Sequence, residues 1–229
     1  MPDSIERCLE AALTDSCGFG QILMRRTDSG GFVLLHRDDK DRDDLPVFRN
    51  SDDAAEIARY DDAGKYRPLK AAPNLRHGWR LEIANLTGLR RALDYFYPGR
   101  LAMFVAWKEN RLATTPLRQT LNRQSGMYRV AAKISDDQIN QLLGDFCRSN
   151  GGCLRTILWR RGAHGTVPSA RLPPEKFEPV YDQAVLADRP RSAPKAFGAA
   201  TTVIPLLCQE ACNLLIAECR RVVKNKSGL

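Results

Sequence analysis

Five of the seven cysteines stand in two groups: Cys147 and Cys153 around FCRSNGGC, and Cys208, Cys212 and Cys219 within PLLCQEACNLLIAECRRVVK. Thiolates are soft ligands, and cysteines that gather in this way serve zinc, iron–sulfur clusters or redox exchange. The spacing is C-x5-C, a gap of 54 residues, then C-x3-C-x6-C. It is neither the C-x2-C-x2-C run of ferredoxins nor the paired C-x2-C of zinc ribbons. Ser149, Asn150, Gly151 and Gly152 let the first group turn sharply and bring backbone N–H groups near charged sulfurs. A further use of the second group is plain packing, since free cysteine behaves as a small hydrophobe.

The periodicity of Pro205–Lys224 predicts one helix, which sets Cys208, Cys212 and Cys219 at about 0°, 40° and 20° around its axis. Thr201, Thr202 and Pro205 are start signals, and Arg220, Arg221 and Lys224 suit the C-terminal dipole. Leu207, Ala211, Leu215 and Val222 flank the sulfurs, so the stripe faces inward. Upstream, Ser135–Gln138 forms a cap and Ile139–Phe146 an amphipathic helix that runs into Cys147; Leu154–Trp159 follows as a strand. Six of the thirteen prolines fall within 162–198, which reads as a long irregular connection returning the chain to the cysteines. His164, at its start, is a weak alternative ligand.

The first half reads as an α+β scaffold. Ser4–Leu13 is a short helix with Cys8 on its apolar face. Phe19–Arg26 and Gly31–Arg37 form a hairpin across Asp28-Ser29-Gly30. His36, without a partner at ligand spacing, is expected at a surface or sheet edge, and Asp38–Asp44 as a solvated charged loop. Ser51–Tyr60 is a short capped helix, Trp79–Ile83 a strand, and Asn85–Phe96 a helix stopped by Pro98. Arg100–Lys108 is apolar enough for a buried strand or helix, and Leu117–Arg123 is a helix. No nucleophile, base and orienter are arranged together, so no catalytic residue is assigned.

Charge divides the chain. Residues 1–98 hold 15 Lys and Arg against 17 Asp and Glu, whereas residues 99–229 hold 20 against 10. This predicts an N-terminal α+β domain over 1–98 and a basic, mostly helical, cysteine-bearing domain over 99–229, α+β overall. The basic half admits an acidic protein or redox partner, a polycarboxylate, or nucleic acid; no aromatic-rich basic strand or recognition helix favours the last. There is no apolar run of membrane-spanning length and no secretory leader, which predicts a cytoplasmic protein.

The segments LRQTLNRQSGMYRVA, the cysteine turn with its following LW, and CQEACNLLIAECR resemble the 4Fe-4S cluster-binding domain attached to bacterial CbiX-type sirohydrochlorin/cobalt chelatase-like proteins. FGQILMRR, GGFVLLH, LRHGWRLEI and LDYFYP are similar to the small stabilising domain beside it there. The likeness runs from about Gly18 to Val223. Nothing in the sequence corresponds to the chelatase domains or their paired histidines, so the resemblance implies the cluster site rather than metal insertion. On one helix, Cys208 and Cys212 stand about 6 Å apart along the axis and Cys212 and Cys219 about 10 Å. The ligand set expected is therefore Cys147, Cys153, Cys208 and Cys212, with Cys219 in reserve. Arg123, Arg129, Arg148 and Arg155 are the cations expected around the sulfurs. Three functions follow: an iron–sulfur protein whose cluster transfers electrons, senses redox state or staples the fold; a structural four-cysteine zinc module for protein or nucleic acid; and an accessory to tetrapyrrole metal chelation.

Overall fold

In a computed structural model, the chain is described over residues 4–13, 16–61, 63–67, 75–142, 156–159 and 202–227. Cys147, Cys153, Arg148, Arg155 and His164 lie outside these residues. The fold is α+β: helices pack against a mixed six-stranded sheet, and a mostly helical region follows.

Helix α1 (Ser4–Ala12) leads into β1 (Ser16–Phe19), which turns at Gly20 and Gln21 into β2 (Ile22–Arg26). Gly20 has φ +62, left-handed backbone that glycine adopts without steric cost. The run expected as one strand from Phe19 is thus split, and Phe19 ends the separate strand β1. The Asp28–Gly30 turn then delivers β3 (Phe32–His36), as the turn residues predict. A short β4 (Val47–Phe48), α2 (Asp53–Ile57), β5 (Arg80–Ile83) and α3 (Leu86–Phe96) complete the first half. The Asn85 side chain caps α3 by accepting from the Gly88 N–H at 2.8 Å. Arg100–Lys108 is helical, α4. Its Leu101, Phe104 and Trp107 enter the same core as Leu9, Phe19, Trp79 and Phe96, so packing is continuous across Pro98-Gly99.

The sheet order is β4-β5-β3-β2-β1-β7, where β7 (Thr202–Ile204) lies parallel to β1 with Gly18 opposite Val203. A strand from the basic half therefore completes the sheet of the acidic half. Beyond it, β6 (Thr156–Ile157) and β8 (Leu207–Cys208) form a separate parallel pair.

The expected helix over 205–224 is corrected by this arrangement. Helix α7 spans Asn213–Ser227, and Cys208 lies on β8 before it. Residues 203–208 are all buried, which a one-sided helix does not permit but a strand covered on both faces does. Cys208, Cys212 and Cys219 therefore do not form one helical stripe. Around α7 a second core gathers: Leu117 and Leu121 of α5 (Leu117–Asn122), Ala131 of a 3-10 segment (Gly126–Lys133), Ile139 of α6 (Asp136–Leu142), and Leu215, Ile216, Cys219 and Val223. The segment around Met127 and Tyr128 is tied to this helix by Arg220, whose Nε donates to the Met127 carbonyl at 3.1 Å.

Two further expectations change. His36 is buried, with Nδ1 accepting the Asp38 N–H at 3.2 Å, because β3 ends inside the fold. The charged loop after it is only partly solvated: Asp39 is buried and accepts from the Gly78 N–H and from Arg42.

Candidate metal centre

Cys208 is fixed through its backbone. It stands opposite Ile157 in the β6–β8 pair, and its carbonyl accepts the Leu158 N–H at 2.9 Å. Its thiol donates to the Glu210 carbonyl at 3.0 Å. After three residues of non-helical chain, Cys212 supplies the first carbonyl of α7, bonded to the Ile216 N–H at 3.1 Å. Its side chain is half-buried. The first N–H groups of a helix have no carbonyl one turn earlier, and the dipole there favours negative charge.

The two cysteines line one cavity of about 270 Å³, together with Arg100, Met103, Gln209, Glu210, Ala211, Asn213 and Leu214. The turn between β8 and α7 brings them together, not the helical spacing expected of Pro205–Lys224. Arg100 is the cation of this wall. Its Nη1 donates to the Leu207 carbonyl at 3.1 Å, so it also holds the strand that carries Cys208. In the sequence Arg100 opens an apolar run, and its only signal is a cation beside Gly99 at a helix start.

Cys219 faces elsewhere. It has no exposed surface and packs with Leu121, Leu215 and Val223. Burial pushes its thiol up to about 12, partly offset by the Arg118 guanidinium. A thiol of that kind is protonated at neutral pH and is a core side chain. Cys17 is similar, buried in the first core and pushed up to about 12. Cys8, expected as a core residue, packs against the first core half-buried, and burial raises its thiol too. Arg123 and Arg129 are exposed, and neither is among the residues lining the cavity; Arg123 Nε donates to the Gln119 carbonyl at 3.3 Å within its own turn.

A second cavity of about 230 Å³ adjoins the first through Asn213 and is lined also by Gln124, Tyr128 and Ile216. Among the described residues, no group of three or more His, Cys, Asp or Glu side chains stands at metal-binding distance. Two thiols in one cavity are half of the donor set a four-cysteine centre takes. No helix among the described residues is long and apolar enough to cross a membrane.

Two family models match the chain in succession. Residues 6–111 match the DR2241 stabilising domain, and residues 109–221 match a 4Fe-4S iron–sulfur cluster binding domain. Comparison with curated proteins returns no match. Among solved structures, the chain is similar to DR2241 from Deinococcus radiodurans, described as a multi-domain protein with structural similarity to chelatases and two additional novel domains. The TM-score is 0.68 at 24% identity over 96% of this chain, a likeness of fold. This chain spans 41% of that protein's length. What the chain carries, in order, is a region matching the stabilising domain and a region matching the cluster-binding domain, as its sequence resemblance implied.

Proposed function

We propose that the chain binds a 4Fe-4S cluster through Cys147, Cys153, Cys208 and Cys212, and that the cluster carries single electrons. The observation that carries this reading is the shared cavity of Cys208 and Cys212 beside the β6–β8 pair. Strand β6 begins three residues after Cys153 in the sequence, and three residues of chain span at most about 11 Å. Helix α6, packed against α7, ends five residues before Cys147, a reach of at most about 18 Å. These short connections support the reading that Cys147 and Cys153 complete the ligand set. The donor set is one a cluster accepts, since a four-thiolate site is negative overall and here meets Arg100 and the N-terminus of α7. The match over 109–221 supports the same cofactor.

Within that site the chain's own residues have distinct tasks. Leu158 and Ile157 hold Cys208 by its backbone. Arg100 clamps β8 and supplies positive charge. Ligation by Cys208 replaces its bond to the Glu210 carbonyl, because a thiolate has no hydrogen to donate. The bound cluster supplies the one-electron couple; hydrogen bonds to its sulfurs and local charge set its potential. The likeness of fold to a protein with structural similarity to chelatases supports a role beside such enzymes.

The test is anaerobic purification followed by absorption spectroscopy and iron, sulfide and zinc analysis. Brown protein with about four irons and four sulfides per chain, lost in Cys212→Ser, is the expected result. Colourless protein with one zinc moves the structural zinc module into its place. Metal-free folded protein refutes ligation altogether.

A further inference from the structure

Trp159 follows β6 and is 1% exposed. The Leu158 N–H bonds to the Cys208 carbonyl, which sets residues 158 and 159 beside Cys208. From there the two side chains part: Leu158 enters the first core and Trp159 the second. The second core also holds Cys208 and Ala211, and both of these line the cysteine cavity. Trp159 thus stands on the core side of the cavity wall. A tryptophan buried to this degree ordinarily gives its indole N–H to an acceptor, because that group can only donate and is costly to leave unmatched away from water. Here Nε1 is buried and has no hydrogen-bond partner among the described residues.

We infer that the Trp159 indole N–H is the hydrogen-bond donor to the Cys208 sulfur when that sulfur ligates the cluster, and that this bond raises the cluster's reduction potential. The inference rests on the cluster reading above. Among the described residues of the second core, the side chains around the indole are Leu, Ile, Val and Ala apart from the cysteines, so sulfur is the acceptor this core offers. As a thiol, Cys208 is itself a donor, to the Glu210 carbonyl. As a thiolate it has no hydrogen to give and accepts strongly, as charged acceptors do. One change therefore satisfies the buried indole and the buried sulfur together. Cys212 needs such a donor less, because it is only half-buried. A hydrogen bond draws charge from a ligating sulfur, and the reduced cluster carries one more negative charge, so the bond favours reduction.

The test compares the full chain, purified anaerobically, with Trp159→Phe, which keeps a ring in the core and removes the N–H. Iron content and the midpoint potential in a mediated redox titration are read on both. The expected outcome is unchanged iron and reduction disfavoured about tenfold, a midpoint lower by about 59 mV for one electron. Trp107→Phe, in the first core, should leave the potential where it is. A side chain that only packs would not move this readout, so an equal potential in iron-loaded Trp159→Phe overturns the inference and leaves the cluster standing. If Trp159→Phe takes up no iron, NMR of the tryptophan-labelled native chain with its cluster reduced decides, through the three indole N–H signals. One signal displaced far outside the usual indole range by the cluster's unpaired spin supports the bond, since Trp79 and Trp107 lie in the first core. Three ordinary signals overturn it. Native protein that carries zinc or no metal overturns the cluster reading and this inference together.

Discussion

Arg100 and Leu207 are separated by more than a hundred residues, yet the guanidinium Nη1 donates to the Leu207 carbonyl at 3.1 Å. The bond joins the first turn of α4, which belongs to the N-terminal core, to the strand that ends in Cys208. The N-terminal core, already joined to this part of the chain by the β1–β7 pairing, is thereby also tied to the strand that carries Cys208. Arg100→Ala removes the clamp and the cation of the cavity wall together. We expect a stability loss of about 1–3 kcal/mol, the usual cost of a charged hydrogen bond left unmade. Bleaching of the visible absorption by a chelator should also quicken several-fold. Arg100→Lys should keep part of both, with a single donor atom where the guanidinium has a fork. Unchanged bleaching in Arg100→Ala would show that the clamp has no bearing on the cluster.

Cys212 and Cys219 are separated in role by their surroundings. Cys212 opens onto the cavity, while Cys219 is sealed among Leu121, Leu215 and Val223. Cys219→Ala should therefore cost about 1 kcal/mol in denaturant unfolding, the scale of one buried group removed, with iron content unchanged. Cys208→Ala and Cys212→Ala should each lower the iron content. Loss of iron in Cys219→Ala would bring the buried thiol into the ligand set.

The cysteines announced a soft-metal site in the sequence because residue type alone carries that information. Their geometry was less legible. The run Pro205–Lys224 has apolar residues at helical spacing throughout, and periodicity cannot distinguish a buried strand from a buried helix over so short a stretch. The choice was made by pairing across long sequence separations, Gly18 with Val203 and Ile157 with Cys208. Local signals fared better where they were self-contained: the Asp28–Gly30 turn, the Asn85 cap and the stop at Pro98 all mark real element ends. His36 escaped detection as a buried residue because its burial comes from neighbours distant in sequence, such as His77, whose ring centroid lies 6.0 Å away.

Tyr97 fastens the turn that begins the sheet. Its hydroxyl accepts the Gln21 N–H at 2.9 Å, and its ring meets Phe19 edge-on at 5.4 Å. A Cβ on Gly20 would lie 2.5 Å from the Tyr97 ring, at a residue whose φ is already left-handed. Gly20→Ala combines overlap with strain and should cost more than about 2 kcal/mol. Tyr97→Phe removes only the acceptor and should cost about 1–2 kcal/mol. Thermal unfolding of both variants checks the order; Tyr97→Phe as damaging as Gly20→Ala would mean that the hydrogen bond outweighs the steric fit.

His36 gives the fold a defined response to acid. Burial is the main cause that lowers its imidazolium from 6.5 to about 4; the nearby Asp38 carboxylate opposes this, while Arg37 and His77 add to it. Asp38 Oδ2 is 3.5 Å from Nδ1, and Asp39 also favours the charged form. Between pH 6.5 and 4 the unfolded chain therefore binds a proton at this position that the folded chain refuses. Stability from His36 is fully present above about pH 6.5, falls as pH drops towards 4, and levels off below that. The full effect is about 3 kcal/mol, since each tenfold difference in proton affinity between the folded and unfolded chain is worth about 1.4 kcal/mol. Denaturant unfolding at about pH 7.5, 6, 5 and 4 should show this decline, and His36→Gln, which has no such titration, should flatten it. An equal decline in His36→Gln would transfer the acid response to the carboxylates around Arg37 and Arg42.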